Sequence, residues 1–224
     1  MPRTGRIDLG GYVYHVLNRG VGRQRLFFDH SDYLAFEGVL SEAVKKHWMR
    51  VLAYCLMPNH WHLVLWPLLN GDLSKFMQWL TVTHANRWHQ YRGTSGTGHI
   101  YQGRYKSFVM QSDGHTLTVN RYCERNAQRG GLVERADEWR FSSLWRWEHG
   151  SQSDRALLTE WPMQRPADWA ARVCQPLTNM ELKQVRTCAQ KELPYGDDHF
   201  VTETIERFGL GSRTRKPGRP RKPR

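Results

Sequence analysis

Two histidines separated by a single residue, His60 and His62, form the first pattern in this sequence that could do chemistry. They open the segment HWHLVLW at residues 60–66, whose composition predicts a β-strand. Side chains alternate between the faces of a strand, so both imidazoles would point one way and Trp61 the other. Two imidazoles on one face can chelate a divalent ion, although an isolated pair of this kind more often lies on the surface or in the core and binds no metal.

Tyr122 and Asn126 form a second pair, four residues apart in a segment with helical character. That spacing places both side chains on one face of a helix. A phenol can act as a nucleophile once a metal polarises its target, and an amide oxygen is a hard ligand suited to Mg²⁺ or Mn²⁺. A tyrosine at helical spacing is also a common half-buried core residue, so the pair alone leaves both interpretations open.

Three longer stretches of sequence make the two pairs specific. They are YHVLNRG at residues 14–20, YCLMPNHWHLVLWP at residues 54–67 and RYCERNAQRGGLV at residues 121–133. Together they resemble the REP-associated tyrosine transposases, which are relatives of the single-tyrosine HUH transposases of bacterial insertion sequences. The resemblance covers roughly residues 1–145, and the closing basic tail is also similar to that of many members.

The resemblance implies a ferredoxin-like HUH nuclease fold in an endonuclease and strand transferase that acts on single-stranded DNA at palindromic hairpins. It implies that Tyr122 is the nucleophile and forms a covalent 5′-phosphotyrosine. His60, His62 and Asn126 would then be the ligands of a divalent metal, Mg²⁺ or Mn²⁺. Ala127 stands where the family pattern has Pro, a difference that we expect to alter only the end of the helix.

The elements that must position these residues alternate between strand and helix. Apolar and β-branched runs predict strands at 11–18, 50–57, 60–66 and 104–110. Helical signals predict helices from a cap at Ser31 or Asp32 to about Trp48, from Asp72 to about Tyr91, and from Asp113 to about Ala127. The order β-α-β-β-α-β-α is that of the α+β, ferredoxin-like (split βαβ) arrangement, with an antiparallel sheet and two helices on one face.

Apolar residues at helical spacing predict which sides of the first two helices face the sheet. In the first helix they are Leu34, Leu40 and Val44, and in the second Leu73, Phe76, Leu80 and Val82. Gly130 and Gly131 are expected to stop the third helix.

The chain divides into three parts by composition. Residues 1–150 form the predicted nuclease domain, residues 151–212 a helical extension packed on it, and residues 213–224 a basic tail that is disordered on its own. Seven residues of the tail are Lys or Arg, within a formal net charge of +12 for the chain. Such a tail attracts nucleic acid, either by charge alone or, through Gly218-Arg219-Pro220, as an AT-hook in the minor groove.

Six basic residues are candidates for DNA contacts. They are Arg19, Arg23, Arg104, Lys106, Arg121 and Arg219. Arg19 and Arg23 follow the first strand, and Arg104 and Lys106 precede the catalytic helix, although solvated loops and strand faces explain such charges equally well. Trp88, Tyr91 and Tyr101 flank a glycine-rich loop and could stack on bases, with core packing favoured for Trp88.

Several classes of protein are disfavoured. No CxxC pair occurs among the four cysteines, Cys55, Cys123, Cys174 and Cys188, which disfavours a disulfide framework or a thiolate zinc site. This cysteine content favours a reducing cytoplasm as the location. A DNA-binding protein there is expected close to the nucleoid. The first twenty residues contain no apolar core of a secretory signal. The longest apolar stretch, at residues 61–69, is too short to span a membrane.

Three other functions compete with a nuclease. A DNA-binding regulator could use the same fold without catalysis, but the chain keeps the complete set of His60, His62, Tyr122 and Asn126. A rolling-circle replication enzyme or relaxase would add a helicase domain, for which 224 residues leave no room. An RNA-binding module would carry aromatic motifs on the sheet, and none is found. We expect a monomer, with a homodimer as the alternative.

Overall fold

Four strands form one antiparallel sheet in the computed structural model, which describes residues 6–214. The strands are β1 (Val13–Arg19), β2 (Arg50–Met57), β3 (His60–Trp66) and β4 (Lys106–Met110). Their order across the sheet is β2-β3-β1-β4, so the first strand lies inside and pairs with β3 and β4. β2 and β3 match the predicted bounds, whereas β4 begins two residues later than predicted, leaving Arg104 in the preceding loop.

Two long helices cover one face of this sheet. They are α1 (His30–His47) and α2 (Asp72–Arg92). The core between them and the sheet is aromatic and aliphatic, with Phe36, Trp61 and Phe76 fully buried. The element order β1-α1-β2-β3-α2-β4 and the strand order together are the ferredoxin-like arrangement, so the predicted α+β fold is confirmed.

The opposite face of the sheet is covered by shorter helices. Those that contribute buried residues there are α3 (Gly114–Glu124), α4 (Asn126–Arg129), α5 (Ser143–Glu148), α7 (Trp169–Cys174) and α8 (Asn179–Lys191). The chain also forms α6 (Gln152–Arg155), α9 (Asp198–Arg207), whose Phe200 packs against the other core cluster, and α10 (Gly211–Thr214). Trp161, Trp169 and Val185 from the predicted extension share a buried cluster with strand residues such as Val13. Tyr195 also adds a backbone hydrogen bond, from its N to the O of Val109 at 2.9 Å. The extension therefore completes the core of the sheet's second face.

The predicted inner faces of α1 and α2 need two corrections. Leu34 and Val82 were expected to face the sheet, but their exposed fractions are 44% and 52%. Each stands two residues from a buried apolar residue, Phe36 and Leu80 respectively, and two residues turn a helix by about 200°. The N-cap of α1 is also Asp29, whose carboxylate accepts from the backbone N of Asp32, rather than Ser31 or Asp32.

The predicted third helix is divided in two at Arg125. α3 ends at Glu124 and α4 begins at Asn126. The Asn126 side chain donates hydrogen bonds to two carbonyls of the last turn of α3, which is the kind of local competition that ends helices. The chain leaves α4 at Gly130, where an added Cβ would lie 2.9 Å from the Met57 side chain. The predicted glycine stop therefore falls at a close contact with β2.

No helix among residues 6–214 is both long enough and apolar enough to cross a membrane. All four cysteines are free. α10 includes Arg213 and Thr214, the first two residues of the predicted basic tail, and the rest of that tail lies outside the described residues.

Candidate active site

β3 and α3 bring three of the predicted residues together. Because the strand is pleated, His60 and His62 face α3 while Trp61 is fully buried on the other side. α3 presents Tyr122, whose ring centroid lies 5.7 Å from that of His62 in an edge-on arrangement. The centroids of the two histidine rings are 5.1 Å apart. The histidine pair and the tyrosine thus form one site.

His15, on the neighbouring strand β1, supports the ring of His62. Its Nε2 lies 3.0 Å from Nδ1 of His62, and the two rings are stacked with centroids 5.1 Å apart. If Nδ1 of His62 carries the hydrogen and donates it to His15, the lone pair on Nε2 of His62 is available to a metal. The geometry therefore offers a partner that fixes both the tautomer and the orientation of a metal ligand.

The environment keeps these imidazoles neutral. Burial lowers the pKa of His60 to about 4, and the nearby positive charges of Arg19 and Arg129 act in the same direction. The pKa of His62 is held well below its usual value, mainly by burial, and burial lowers the pKa of His15 to about 3. A histidine must be neutral to bind a metal, so the site does not have to lose protons first.

Asn126 is fully buried one helical turn beyond Tyr122. Its Nδ2 donates to the backbone oxygens of Tyr122 and Cys123, at 2.9 and 3.1 Å, and its Oδ1 accepts a hydrogen bond from the guanidinium of Arg129. Arg129 also lies over the ring of Tyr122, with its Cζ 5.2 Å from the ring centroid. The amide oxygen predicted to bind a metal is thus held by an arginine in this structure.

The site opens into a cleft of about 730 Å³ that is strongly basic. Its lining includes His60, His62 and Tyr122 together with five cationic side chains, which are Arg19, Arg104, Lys106, Arg129 and Arg186. Within residues 6–214, no Asp or Glu side chain contributes to this lining. A cleft with one sign of charge concentrates its field and attracts a polyanion.

The predicted DNA-contact residues are divided between this cleft and other places. Arg19, Arg104 and Lys106 line the cleft, and the Lys106 ammonium donates to the backbone O of Gln190 at 3.1 Å. Arg121 instead forms an ion pair with Glu181 at 3.0 Å. Arg23 is exposed at the end of a short 3-10 helix (Val21–Arg23), where its backbone O accepts a hydrogen bond from the Asn59 side chain. Arg219 lies outside the described residues.

Three side chains at this site, His15, Arg129 and Arg186, were not predicted from the sequence. Arg129 follows Tyr122 by seven residues and Asn126 by three, a helical spacing that could have indicated a shared face. His15 lies within a quoted motif, but its contact with His62 depends on the pairing of strands far apart in sequence. Arg186 belongs to α8, and nothing in its local sequence predicts which wall that helix forms.

The residues around the site fit a divalent metal ion in part. Within the described chain, no group of three or more His, Cys, Asp or Glu side chains could hold one. An ion bound to His60 and His62 would therefore need a third protein ligand of another type, and the amide oxygen of Asn126 is a hard donor of that kind. Two neutral imidazoles and one amide oxygen form a mixed ligand set, in which the oxygen suits Mn²⁺ or Mg²⁺ and the imidazoles suit softer divalent ions, and three ligands leave positions for water or a phosphate.

The sequence model of the family described as "Transposase IS200 like" matches residues 9–126, more than half of the 224 residues. The matched segment contains His60, His62, Tyr122 and Asn126, but not Arg129 or the helices of the extension. No curated protein matches the chain.

Solved structures support the fold. A REP-associated tyrosine transposase bound to a REP hairpin aligns with a TM-score of 0.54 and 17% identity, covering 73% of this chain and 93% of the other. At that identity the likeness concerns the fold alone. A protein from Deinococcus radiodurans R1 described as a transposase aligns with a TM-score of 0.38 and 17% identity, covering 60% of this chain and 95% of the other.

Proposed function

The chain belongs to the IS200-like transposase family, and from this premise we propose that it is a metal-dependent endonuclease and strand transferase that acts on single-stranded DNA. The proposed nucleophile is Tyr122, and the proposed metal ligands are His60, His62 and Asn126. The proposed substrate is a palindromic hairpin of the REP type with an adjoining single strand, which is cut and rejoined through a 5′-phosphotyrosine.

One observation carries this proposal. The phenol of Tyr122 stands beside two neutral histidines at the base of a cleft whose charged lining side chains are cationic. A phenol in such a cleft meets a phosphodiester, because the surrounding charges attract the DNA backbone and hold it against the ring. A core tyrosine would need neither the histidines nor the cations.

The reaction can be written with its atoms in balance. The Tyr122 hydroxyl oxygen attacks the phosphorus and loses its proton to solvent, and the bond from phosphorus to the 3′-oxygen of the leaving strand breaks. That oxygen takes up a proton and becomes a free 3′-hydroxyl. A 3′-hydroxyl of the same or another strand can reverse the step, because the phosphotyrosine retains the energy of the broken ester bond.

A divalent ion at His60, His62 and Asn126 would withdraw charge from the scissile phosphate and orient it for in-line attack. The chain's own residues prepare that site. His15 fixes the ring of His62, and burial keeps both ligand histidines unprotonated. Arg19, Arg104 and Lys106 line the cleft beside them, where they would bind the phosphates flanking the cut.

Single-stranded DNA is the form of substrate that this cleft suits. An in-line attack by a side chain at the base of a cleft requires a backbone that can bend away from its neighbours, as an unpaired strand does. The hairpin is proposed by analogy with the structural relative bound to a REP hairpin. We also propose that a monomer is active, since His60, His62, Tyr122 and Asn126 come together within one chain.

The experiment uses labelled oligonucleotides that carry REP-like hairpins with single-stranded flanks. The full-length protein is expected to cut them with Mg²⁺ or Mn²⁺ and to lose activity in EDTA. His60→Ala and His62→Ala should each abolish metal-dependent cutting, while Asn126→Ala should be milder because water can replace one oxygen ligand. Cutting that continues unchanged in EDTA would remove the metal from the proposal.

The second candidate function, a non-catalytic regulator that binds hairpins, is favoured by the same cationic cleft. The two functions separate in this assay, because a regulator would bind the oligonucleotide without producing a cut strand. Binding with no cleavage under any metal condition would favour the regulator.

A further inference from the structure

We propose that Arg129 is a further catalytic residue. In the free protein its guanidinium binds the Asn126 amide oxygen, and when DNA and metal bind, the side chain moves so that the guanidinium binds the scissile phosphate. This inference rests on the proposed function and assigns a role to a residue beyond the segment that matches the family. Before DNA binds, Arg129 competes with the metal for the Asn126 oxygen, and after DNA binds it promotes cleavage.

The orientation of the Asn126 side chain is fixed by its partners. Both groups that Nδ2 approaches, the backbone oxygens of Tyr122 and Cys123, can only accept hydrogen bonds. The amide nitrogen must therefore point at them, and Oδ1 must point the other way, toward Arg129. The oxygen proposed as a metal ligand is occupied by a cation that belongs to the protein itself.

Arg129 can leave that position at low cost. It is the last residue of α4 and is exposed, in contrast to the fully buried Asn126. It lines the basic cleft, so a small movement of its side chain would bring the guanidinium to a phosphate in that cleft. The planar fork of arginine pairs with phosphate oxygens through two hydrogen bonds, which makes a phosphate a better partner than one amide oxygen.

Because Arg129 lies over the ring of Tyr122, its movement from Asn126 to the phosphate affects catalysis. With Cζ 5.2 Å from the centre of the ring, the guanidinium lies over the ring whose hydroxyl is proposed to attack the phosphorus. A cation held there stabilises the negative charge that develops on the phosphate oxygens as the bond forms. It also places a positive charge near His60 and His62, which opposes the binding of a metal ion until an anionic substrate is present.

The test measures Mn²⁺ binding and DNA cleavage separately in the full chain. Arg129→Gln removes the charge, so Mn²⁺ should bind the DNA-free protein about three- to tenfold more tightly. Single-turnover cleavage of a hairpin oligonucleotide at saturating Mn²⁺ should fall by about a hundredfold, as for the loss of one donor to a developing oxyanion. Arg129→Lys keeps the charge without the fork and should fall between Gln and wild type in both measurements.

The matched control is Arg135→Gln, which removes the same charge from an exposed arginine paired with Asp137 outside the cleft. It should leave both measurements unchanged. Thermal unfolding of each variant checks that the fold is intact.

Opposite movements of metal affinity and cleavage rate in Arg129→Gln support the proposal. If Arg129→Gln loses both Mn²⁺ affinity and cleavage, Arg129 only holds Asn126 in place. If its cleavage rate is unchanged, Arg129 does not contact the scissile phosphate. If wild type binds Mn²⁺ but cuts no DNA, the proposed function fails, whereas the metal measurement still decides whether Arg129 competes for the Asn126 oxygen. If the wild-type protein binds no Mn²⁺, the proposal that a metal replaces Arg129 at the Asn126 oxygen is wrong.

Discussion

Nε2 of His15 lies 3.0 Å from Nδ1 of His62, which joins a fully buried histidine of β1 to a proposed metal ligand of β3. The other ring nitrogen of His15, Nδ1, is buried without a hydrogen-bond partner among residues 6–214. A buried unpaired donor destabilises the fold. The hydrogen bond between His15 and His62 therefore fixes the tautomer of His62, while the unpaired Nδ1 of His15 lowers the stability of the fold.

His15→Phe tests this relationship. Phenylalanine keeps an aromatic ring beside Phe108 but removes both ring nitrogens. Loss of a partner of this kind typically weakens metal binding by about 10- to 100-fold, and we expect that loss for Mn²⁺. Because the substitution removes the unpaired Nδ1 of His15 but leaves Nδ1 of His62 without its partner, the free energy of unfolding should stay about constant. Unchanged Mn²⁺ affinity would show that His15 does not support the ligand.

Arg186 gives the extension a direct part in DNA binding. It lies on α8, outside the segment that matches the family, and lines the cleft together with Tyr122. Arg186→Gln should weaken binding of single-stranded DNA and lower the slope of log K against log salt by about 0.7, the value for one lost phosphate contact. Equilibrium binding at several salt concentrations measures both.

The control for Arg186 is Arg172→Gln on α7, where the arginine is exposed and paired with Asp168. That variant should bind DNA as wild type does. If the two variants behave alike, α8 is only a structural wall of the cleft.

His84 makes stability depend on pH at a position remote from the metal ligands. It is buried, bonds to the Tyr101 hydroxyl at 2.7 Å, and burial lowers its pKa to about 3. The unfolded chain takes up a proton near pH 6.5 while the folded chain does not, so the stability contributed above about pH 6.5 is lost as the pH falls toward 3.

His84→Gln should therefore reduce the loss of unfolding free energy between pH 7 and pH 5 by about 2 kcal/mol, at about 1.4 kcal/mol for each pH unit below 6.5. Urea unfolding at the two pH values measures the difference. His99→Gln, at an exposed histidine, is the control and should keep the wild-type pH dependence. Parallel curves for wild type and His84→Gln would show that His84 is not held neutral.

The basic tail is tested by removing residues 215–224, which leaves the helices described here complete. DNA affinity should fall and its salt dependence should flatten, because several phosphate contacts are lost. Cleavage at saturating oligonucleotide should persist, since the proposed active-site residues lie before the tail. Arg219→Ala in the full chain separates the two interpretations: an AT-hook loses affinity mainly for A·T-rich duplex, whereas a purely electrostatic arm loses it equally for G·C-rich duplex.

The sequence predicted the parts of the site that depend on local patterns. Alternation within β3 was enough to place His60 and His62 on one face and Trp61 on the other. Helical spacing placed Tyr122 and Asn126 in adjacent turns, although the break at Arg125 arises from a side-chain hydrogen bond that periodicity does not reveal.

What the sequence could not predict depends on tertiary contacts. The bond from His15 to His62 requires the register between β1 and β3, which are separated by α1 and β2. The position of Arg186 requires α8 to dock against the second face of the sheet. Leu34 was misassigned because hydrophobicity alone does not decide which of two apolar positions, almost opposite on a helix, turns inward.

The central claim, that Tyr122 is the nucleophile, is tested most directly by locating the covalent bond to DNA. The wild-type protein is incubated with a hairpin oligonucleotide, denatured and digested with nuclease and trypsin, and its peptides are analysed by mass spectrometry. We expect a residual nucleotide phosphate on the peptide at residues 122–125, attached to Tyr122, and no adduct from Tyr122→Phe. An adduct on Tyr101 or Tyr105, or cleavage by Tyr122→Phe at the wild-type rate, would contradict the assignment.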